Sequence, residues 1–142
     1  MRSTLKRTVL GATALASALV VGLAGPASAT TVNLYGLSSS RNAEVSGQYE
    51  WHAAGTAGGY TYYAGGFSNA GARDVIPNNG LEAVLALEYD TWANGAWAHQ
   101  ARYASKVNTF ASWTFNYKKN IRVWACDRAV GTTTLKNCVL VY

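Results

Sequence analysis

Two carboxylates, two histidines, three serines and two cysteines are the residues from which this chain could build chemistry. Glu88 and Asp90 stand two apart in "LALEYDTW". On an extended strand that spacing puts both on one face with side-chain origins about 6.5–7 Å apart, a separation at which inverting glycoside hydrolases hold their acid and base. Those enzymes set the pair across a cleft, whereas neighbours on one strand point the same way, so the expected reading is a solvated outer face. His52 and His99 could serve as general bases and Ser68, Ser105 and Ser112 as nucleophiles. Neither a G-x-S-x-G elbow nor an H-E-x-x-H helix accompanies them, and no catalytic residue is expected.

Cys126 and Cys138 are the only cysteines, both in the closing "VWACDRAVGTTTLKNCVLVY". Eleven intervening residues exclude a C-x-x-C redox motif, and two cysteines with two distant histidines make a poor zinc site, so no metal is expected. Pairing the cysteines across a hairpin sets Ala125 opposite Val139 and Val123 opposite Val141. One side of the ribbon is then wholly apolar, so the disulfide register and the hydrophobic register agree. A structural disulfide is expected, because the chain carries the marks of export to an oxidising compartment.

Those marks are in residues 1–29. Arg2, Lys6 and Arg7 make a basic start, "VLGATALASALVVGLAG" is apolar but too short to span a membrane, and Ala27-Ser28-Ala29 is an A-x-A cleavage site. They are expected to form a Sec signal, leaving residues 30–142 as a single secreted domain, free of the membrane after cleavage. Three of the 12 Lys and Arg fall in the signal, leaving nine against seven Asp and Glu. The near-neutral remainder, with Lys118-Lys119 its only adjacent basic pair, offers no basic stripe for nucleic acid. No cofactor motif appears, and a monomer is expected.

The elements that must position these groups are strands. From Glu44 to His52 every odd position is apolar or Gly and every even one polar, the period of a half-buried strand. "YTYY" with "AGGFSN" behind it reads as a strand with a glycine bend. Glu82 to Trp92 puts Ala83, Leu85, Leu87 and Tyr89 on one side, with Glu82, Glu88 and Asp90 on the other. At Asn94-Gly95 a two-residue turn would pair Leu87 with Arg102 and Tyr89 with Gln100, mixing core and solvent positions. A three-residue loop, Ala93–Gly95, pairs Leu85 with Tyr103, Leu87 with Ala101 and Tyr89 with His99, and is the expected geometry. A second three-residue loop, Lys118–Asn120, would set Tyr117 beside Ile121, Phe115 beside Val123 and Trp113 beside Ala125, all six facing one interior. Residues 36–43, "GLSSSRNA", read as an irregular surface connection. Helical spacing is absent after Thr30, and about seven or eight strands predict an all-β fold. The predicted form is a single antiparallel β-sandwich or partly closed barrel with a disulfide-stapled C-terminal hairpin.

All 17 aromatic residues follow the signal. Most are expected in the core. Arg122, Trp124, Leu140 and Tyr142, however, fall on the disulfide side of the last ribbon, opposite the valines, so that side is either covered by another layer or left as an open aromatic patch. Tyr60, Tyr62 and Tyr63, beside glycines, read as half-buried sheet or as a stacking platform for sugars. These six, Arg122, Trp124, Leu140, Tyr142, Tyr60 and Tyr62, are the candidate ligand-binding residues.

An alanine-rich signal, a strand-rich domain, "LALEYDTW", a glycine turn, a strand bearing Arg102, and "IRVWACDRAV" with a second cysteine near the terminus together resemble the small exported proteins of actinobacteria such as Streptomyces. The resemblance implies an extracellular β-sandwich with one C-terminal disulfide and passes on no catalytic residue. The expected function is non-catalytic binding of an extracellular ligand such as a polysaccharide or cell-wall surface. The alternative is a secreted inhibitor or antagonist of an extracellular hydrolase that presents the Arg128–Thr133 loop. A small hydrolase using Glu88 and Asp90 comes third.

Overall fold

A computed structural model describes residues 28–142, so the expected signal lies outside the described residues except for Ser28 and Ala29. Seven strands follow: β1 (Thr30–Leu37), β2 (Ala43–Ala57), β3 (Tyr60–Asp74), β4 (Leu81–Ala93), β5 (Ala96–Val107), β6 (Phe110–Ala129) and β7 (Lys136–Leu140). All pair antiparallel in one sheet of order β1-β2-β3-β6-β4-β5, with β7 also on β6. The sheet folds over on itself without closing, and the all-β architecture with its stapled terminal hairpin is as the sequence predicts.

The alternation in β2 buries Val45 and Tyr49 and leaves Gln48 and Glu50 outside. In β4, Ala83, Leu85 and Leu87 turn inward and meet Phe67, Ala70 and Ala72 of β3 and Val123 and Ala125 of β6. Gly47 in β2 has a steric cause: a Cβ there would lie 2.4 Å from the Ala70 Cα, at a φ of 139° that disfavours any side chain. Strand β1 carries the same period, with Leu34 buried between exposed Asn33 and Tyr35, and pairs with β2 from Thr30↔Trp51 to Leu37↔Glu44. The strand reading above began at Ala43 and did not include it.

Two turns differ from expectation. Asn94 and Gly95 both take positive φ, 52° and 78°, closing a two-residue turn with Trp92 opposite Trp97. The pairing of Leu87 with Arg102 is avoided by an irregularity between Leu87 and Tyr89, which brings Leu87 opposite Tyr103 while Tyr89 stays opposite Gln100. At Lys118–Asn120 there is no hairpin, because β6 continues through these residues as one bent strand. Its first part pairs with β3 (Gly65↔Phe115, Phe67↔Trp113), and its second part lies between β4 (Leu85↔Ala125) and β7 (Ala125↔Val139). Trp113, Phe115, Ile121, Val123 and Ala125 still face the interior. Tyr117 does not: it sits at φ 54° and is 45% exposed.

Residues 38–42 also differ, since the β1–β2 connection is built into the fold. Ser38 and Asn42 are buried, as is Asp127 with 0% exposure. The Asp127 Oδ2 accepts from the Ser40 hydroxyl and from Asn137 Nδ2 at 2.8 Å, while Asn79 Nδ2 donates to Asn42 Oδ1. Asp127, in β6, thereby ties the β1–β2 connection to β7. Its neighbour Cys126 bonds Cys138 and seals a second cluster, Val84 and Ala86 with Trp124 and Leu135, on the outer side of β4.

Two stability changes are expected in urea denaturation. Replacing both cysteines by alanine should lower stability by about 3 kcal/mol, because the 12-residue loop is no longer closed in the unfolded chain. Asp127→Ala should cost about 2–3 kcal/mol by stripping Ser40 and Asn137 of their acceptor.

Candidate functional site

Of the chemistry-bearing residues, Glu88, Asp90 and His99 are bound up in one polar network on the outer side of β4. Glu88 lies 3.3 Å from Arg122, 3.7 Å from Arg102 and 3.9 Å from His99. Asp90 pairs with His99 Nδ1 at 2.9 Å and accepts from Asn120 Nδ2 at 2.6 Å. Burial pushes the Asp90 carboxyl up, but the hydrogen bonds from His99 and Asn120, with the charges of His99 and Lys119, outweigh it and hold the group below the ordinary carboxylate value. Both carboxylates are on one face and bound to neighbouring side chains, Glu88 to Arg122 and Arg102 and Asp90 to His99 and Asn120, which is the arrangement of a structural polar network. Ser112 Oγ accepts from the Asn69 N–H, and among the described residues no serine is hydrogen-bonded to a histidine.

The aromatic candidates divide between places. Trp124 is half-buried on the disulfide side of β6, with the Arg102 guanidinium 3.5 Å above its ring. Arg122 is beside it on Glu88, and Leu140, opposite Trp124 on β7, is 51% exposed. Tyr142 parts from them. Val123 N–H donates to its carbonyl, and its ring turns to Tyr49 and Trp51, with centroids at 4.9 and 5.2 Å. Burial, and then Tyr63, push the Tyr142 phenol above its usual value. Arg128 is held by Glu82 at 2.6 Å, so the Arg128–Thr133 loop begins fastened to the sheet and carries Val130 exposed.

Tyr60 and Tyr62 belong to a larger assembly at one end of the molecule. Gly58 and Gly59 make the two-residue β2–β3 turn with φ of 54° and 80°. A Cβ on Gly58 would lie 2.6 Å from Trp92 Cζ3, so glycine is also what lets the β4–β5 tip pack against this turn. The two tips are tied where Trp97 Nε1 donates to the Ala57 carbonyl at 3.0 Å. Trp92 and Trp97 meet edge to face at 5.4 Å. The Lys119 ammonium lies 3.8 Å from the Tyr60 ring centroid and 4.7 Å from that of Trp97. Tyr62 stacks on Tyr117 at 4.5 Å. Tyr60 is 59% exposed, so this end presents rings to solvent, and Asn120, which follows Lys119 in the chain, donates to Asp90. Trp92, Trp97, Tyr117 and Lys119 are members that the sequence reading did not single out. The available signal was the two-residue reading of Asn94-Gly95, which sets Trp92 opposite Trp97 as a cross-strand pair.

The chain matches no protein-family model, no curated protein and no solved structure.

A depressed carboxyl contributes stability that is present above its unfolded value, about 3.9, and is lost as pH falls through the lower folded one. Asp90→Asn should therefore lower the urea midpoint at pH 6, and the gap from the wild type should narrow as pH is taken from 4 to 2. A gap that widens on acidification would contradict the assignment.

Proposed function

We propose that this is an exported, non-catalytic binding protein that holds a polysaccharide or cell-wall glycan against the aromatic end formed by Tyr60, Tyr62, Tyr117, Trp92 and Trp97. The reading rests on one observation. Tyr117, a bulky residue, is held at φ 54°, is 45% exposed and has its ring stacked on Tyr62. A side chain in the left-handed region costs about 1–2 kcal/mol, and such outliers gather at ligand sites where surrounding structure over-determines them. Here the strain displays a ring outward where the strand period would have buried it.

The chemistry fits a sugar. Phenol and indole rings offer flat apolar faces with polar tips, matching the C–H faces of pyranose rings, while Asn120, Asp90 and Lys119 can meet hydroxyl groups. Lys119 occupies one side of Tyr60, and Tyr62 lies between Gly55 and Tyr117, so the exposed ring surface is that of Tyr60 and Tyr117. The ion-paired carboxylates of β4 leave no acid and base poised across a cleft, which supports binding over hydrolysis. The disulfide is compatible with an extracellular location.

The protein should be retained on insoluble chitin, cellulose or peptidoglycan. Tyr60→Ala should weaken retention about 5- to 10-fold, on the order of one stacking contact. Tyr117→Gly should weaken it similarly while leaving the fold as stable as before or more so, because glycine accepts the positive φ. Trp124→Ala, whose ring already lies under Arg102, should change retention less than two-fold. A panel on which no glycan retains the native protein would remove the proposal.

A further inference from the structure

The sheet does not close between β5 and the first part of β6. Among the described residues, strand β5 pairs only with β4, and residues 110–117 of β6 pair only with β3. The layers part there over a cavity of about 320 Å³, within the size range of small-molecule sites. Its floor is Phe67 and Leu87, each only 3% exposed. One wall is Trp113 and Phe115 of β6, with Trp113 stacked on Phe67 at 4.6 Å. The other is Tyr89 of β4 and Tyr103 of β5, meeting edge to face at 6.1 Å. Rings lining a wet opening keep apolar surface in contact with water, so an apolar body that covers them is favoured by the area it removes from solvent.

The charge at the mouth says what would fill it. Lys118 lines the cavity, its ammonium held 2.7 Å from the Thr91 hydroxyl and 4.3 Å from the Tyr89 ring centroid. Lys106 lies 4.7 Å from the centroid of Trp113. Among the described residues neither lysine has a carboxylate partner, whereas Glu44, Glu82, Glu88 and Asp90 are all paired elsewhere. A half-buried ammonium without a counter-charge, beside an apolar floor, complements a carboxylate on an apolar body. Burial, with Tyr89 beside it, pushes the Tyr103 phenol up to about 12, so it stays a neutral donor.

We propose that the seam between β5 and β6 is a binding site for a small amphipathic carboxylic acid, its apolar body on Phe67 and Leu87 between the two aromatic walls and its carboxylate on Lys118. This site is separate from the aromatic end and does not depend on glycan binding. Calorimetric titration of the native protein with octanoate, 1-octanol and octylammonium tests it. Octanoate should bind 1:1 and at least five-fold tighter than the alcohol, with the ammonium weakest. Lys118→Met should bring octanoate down to the level of octanol, and Lys136→Met, remote from the cavity, should not. Equal affinity for all three probes, or no saturable binding of octanoate, overturns the proposal. Because Lys118→Met could disturb the fold, a second measurement uses the native protein: octanoate should shift the methyl resonances of Leu87 and Ile121 and leave those of Leu135 in place. Shifts confined to residues outside the cavity would also overturn it.

Discussion

Strand β6 has to satisfy two sets of partners along one run of 20 residues, and the rest of the molecule follows from how it does so. Its first part belongs to the β1-β2-β3 half of the sheet, and its second part lies between β4 and β7. A strand that passes from one layer to the other must bend. The bend is at Tyr117–Asn120, where Tyr117 and Asn120 take positive φ of 54° and 53°. Asparagine reaches that region at small cost and tyrosine does not. The core, the open seam and the aromatic end all lie against this corner: Ile121 enters the core just after it, Lys118 and Ile121 line the cavity, and Tyr117 and Lys119 face outward.

Much of this was legible where a single period governed the pattern. The alternation of Glu44–His52 and the inward set Ala83, Leu85, Leu87 follow from side chains pointing alternately up and down, and the Cys126–Cys138 pairing agreed with the apolar register of Val123, Ala125, Val139 and Val141. What escaped were departures from the period. "YKKNI" contains turn-forming chemistry, since Asn120 does adopt a turn-like φ, but the ladders on both sides continue, so the same local signal makes a bend in a strand and not a hairpin. At Asn94-Gly95 the tight turn mixes faces only if the ladder is regular, and the irregularity in β4 between Leu87 and Tyr89 brings Leu87 opposite Tyr103 instead of Arg102. A reading without that turn loses the Trp92–Trp97 pair, and with the pair the sight of the aromatic end.

Polar residues misled for a different reason. "GLSSSRNA" has the composition of a surface connection, and composition carries no information about a partner 87 residues away. That partner is Asp127, whose buried carboxylate accepts from Ser40. A buried carboxylate draws hydroxyl and amide donors to itself because leaving it unsolvated would cost several kcal/mol. The connection is therefore ordered by a long-range demand that a local reading cannot contain. The disulfide seals the same region from the neighbouring position, so a covalent and a polar constraint act on adjacent residues of β6.

The adjacent lysines show how the corner links the two proposed surfaces. Read as a sequence, Lys118-Lys119 is a basic pair too small to attract a polyanion. On a strand, neighbours point to opposite faces, and the positive-φ residues Tyr117 and Asn120 bracket the two so that one layer does not cover both. Lys118 turns toward Tyr89 and the cavity, and Lys119 turns out between Tyr60 and Trp97. One short segment thus supplies a cation to an apolar seam and another to an exposed group of rings. Neither charge could be placed there by residues further along β6, whose outward positions are committed to Glu88 through Arg122 and to the cover of Val84 and Ala86 through Trp124.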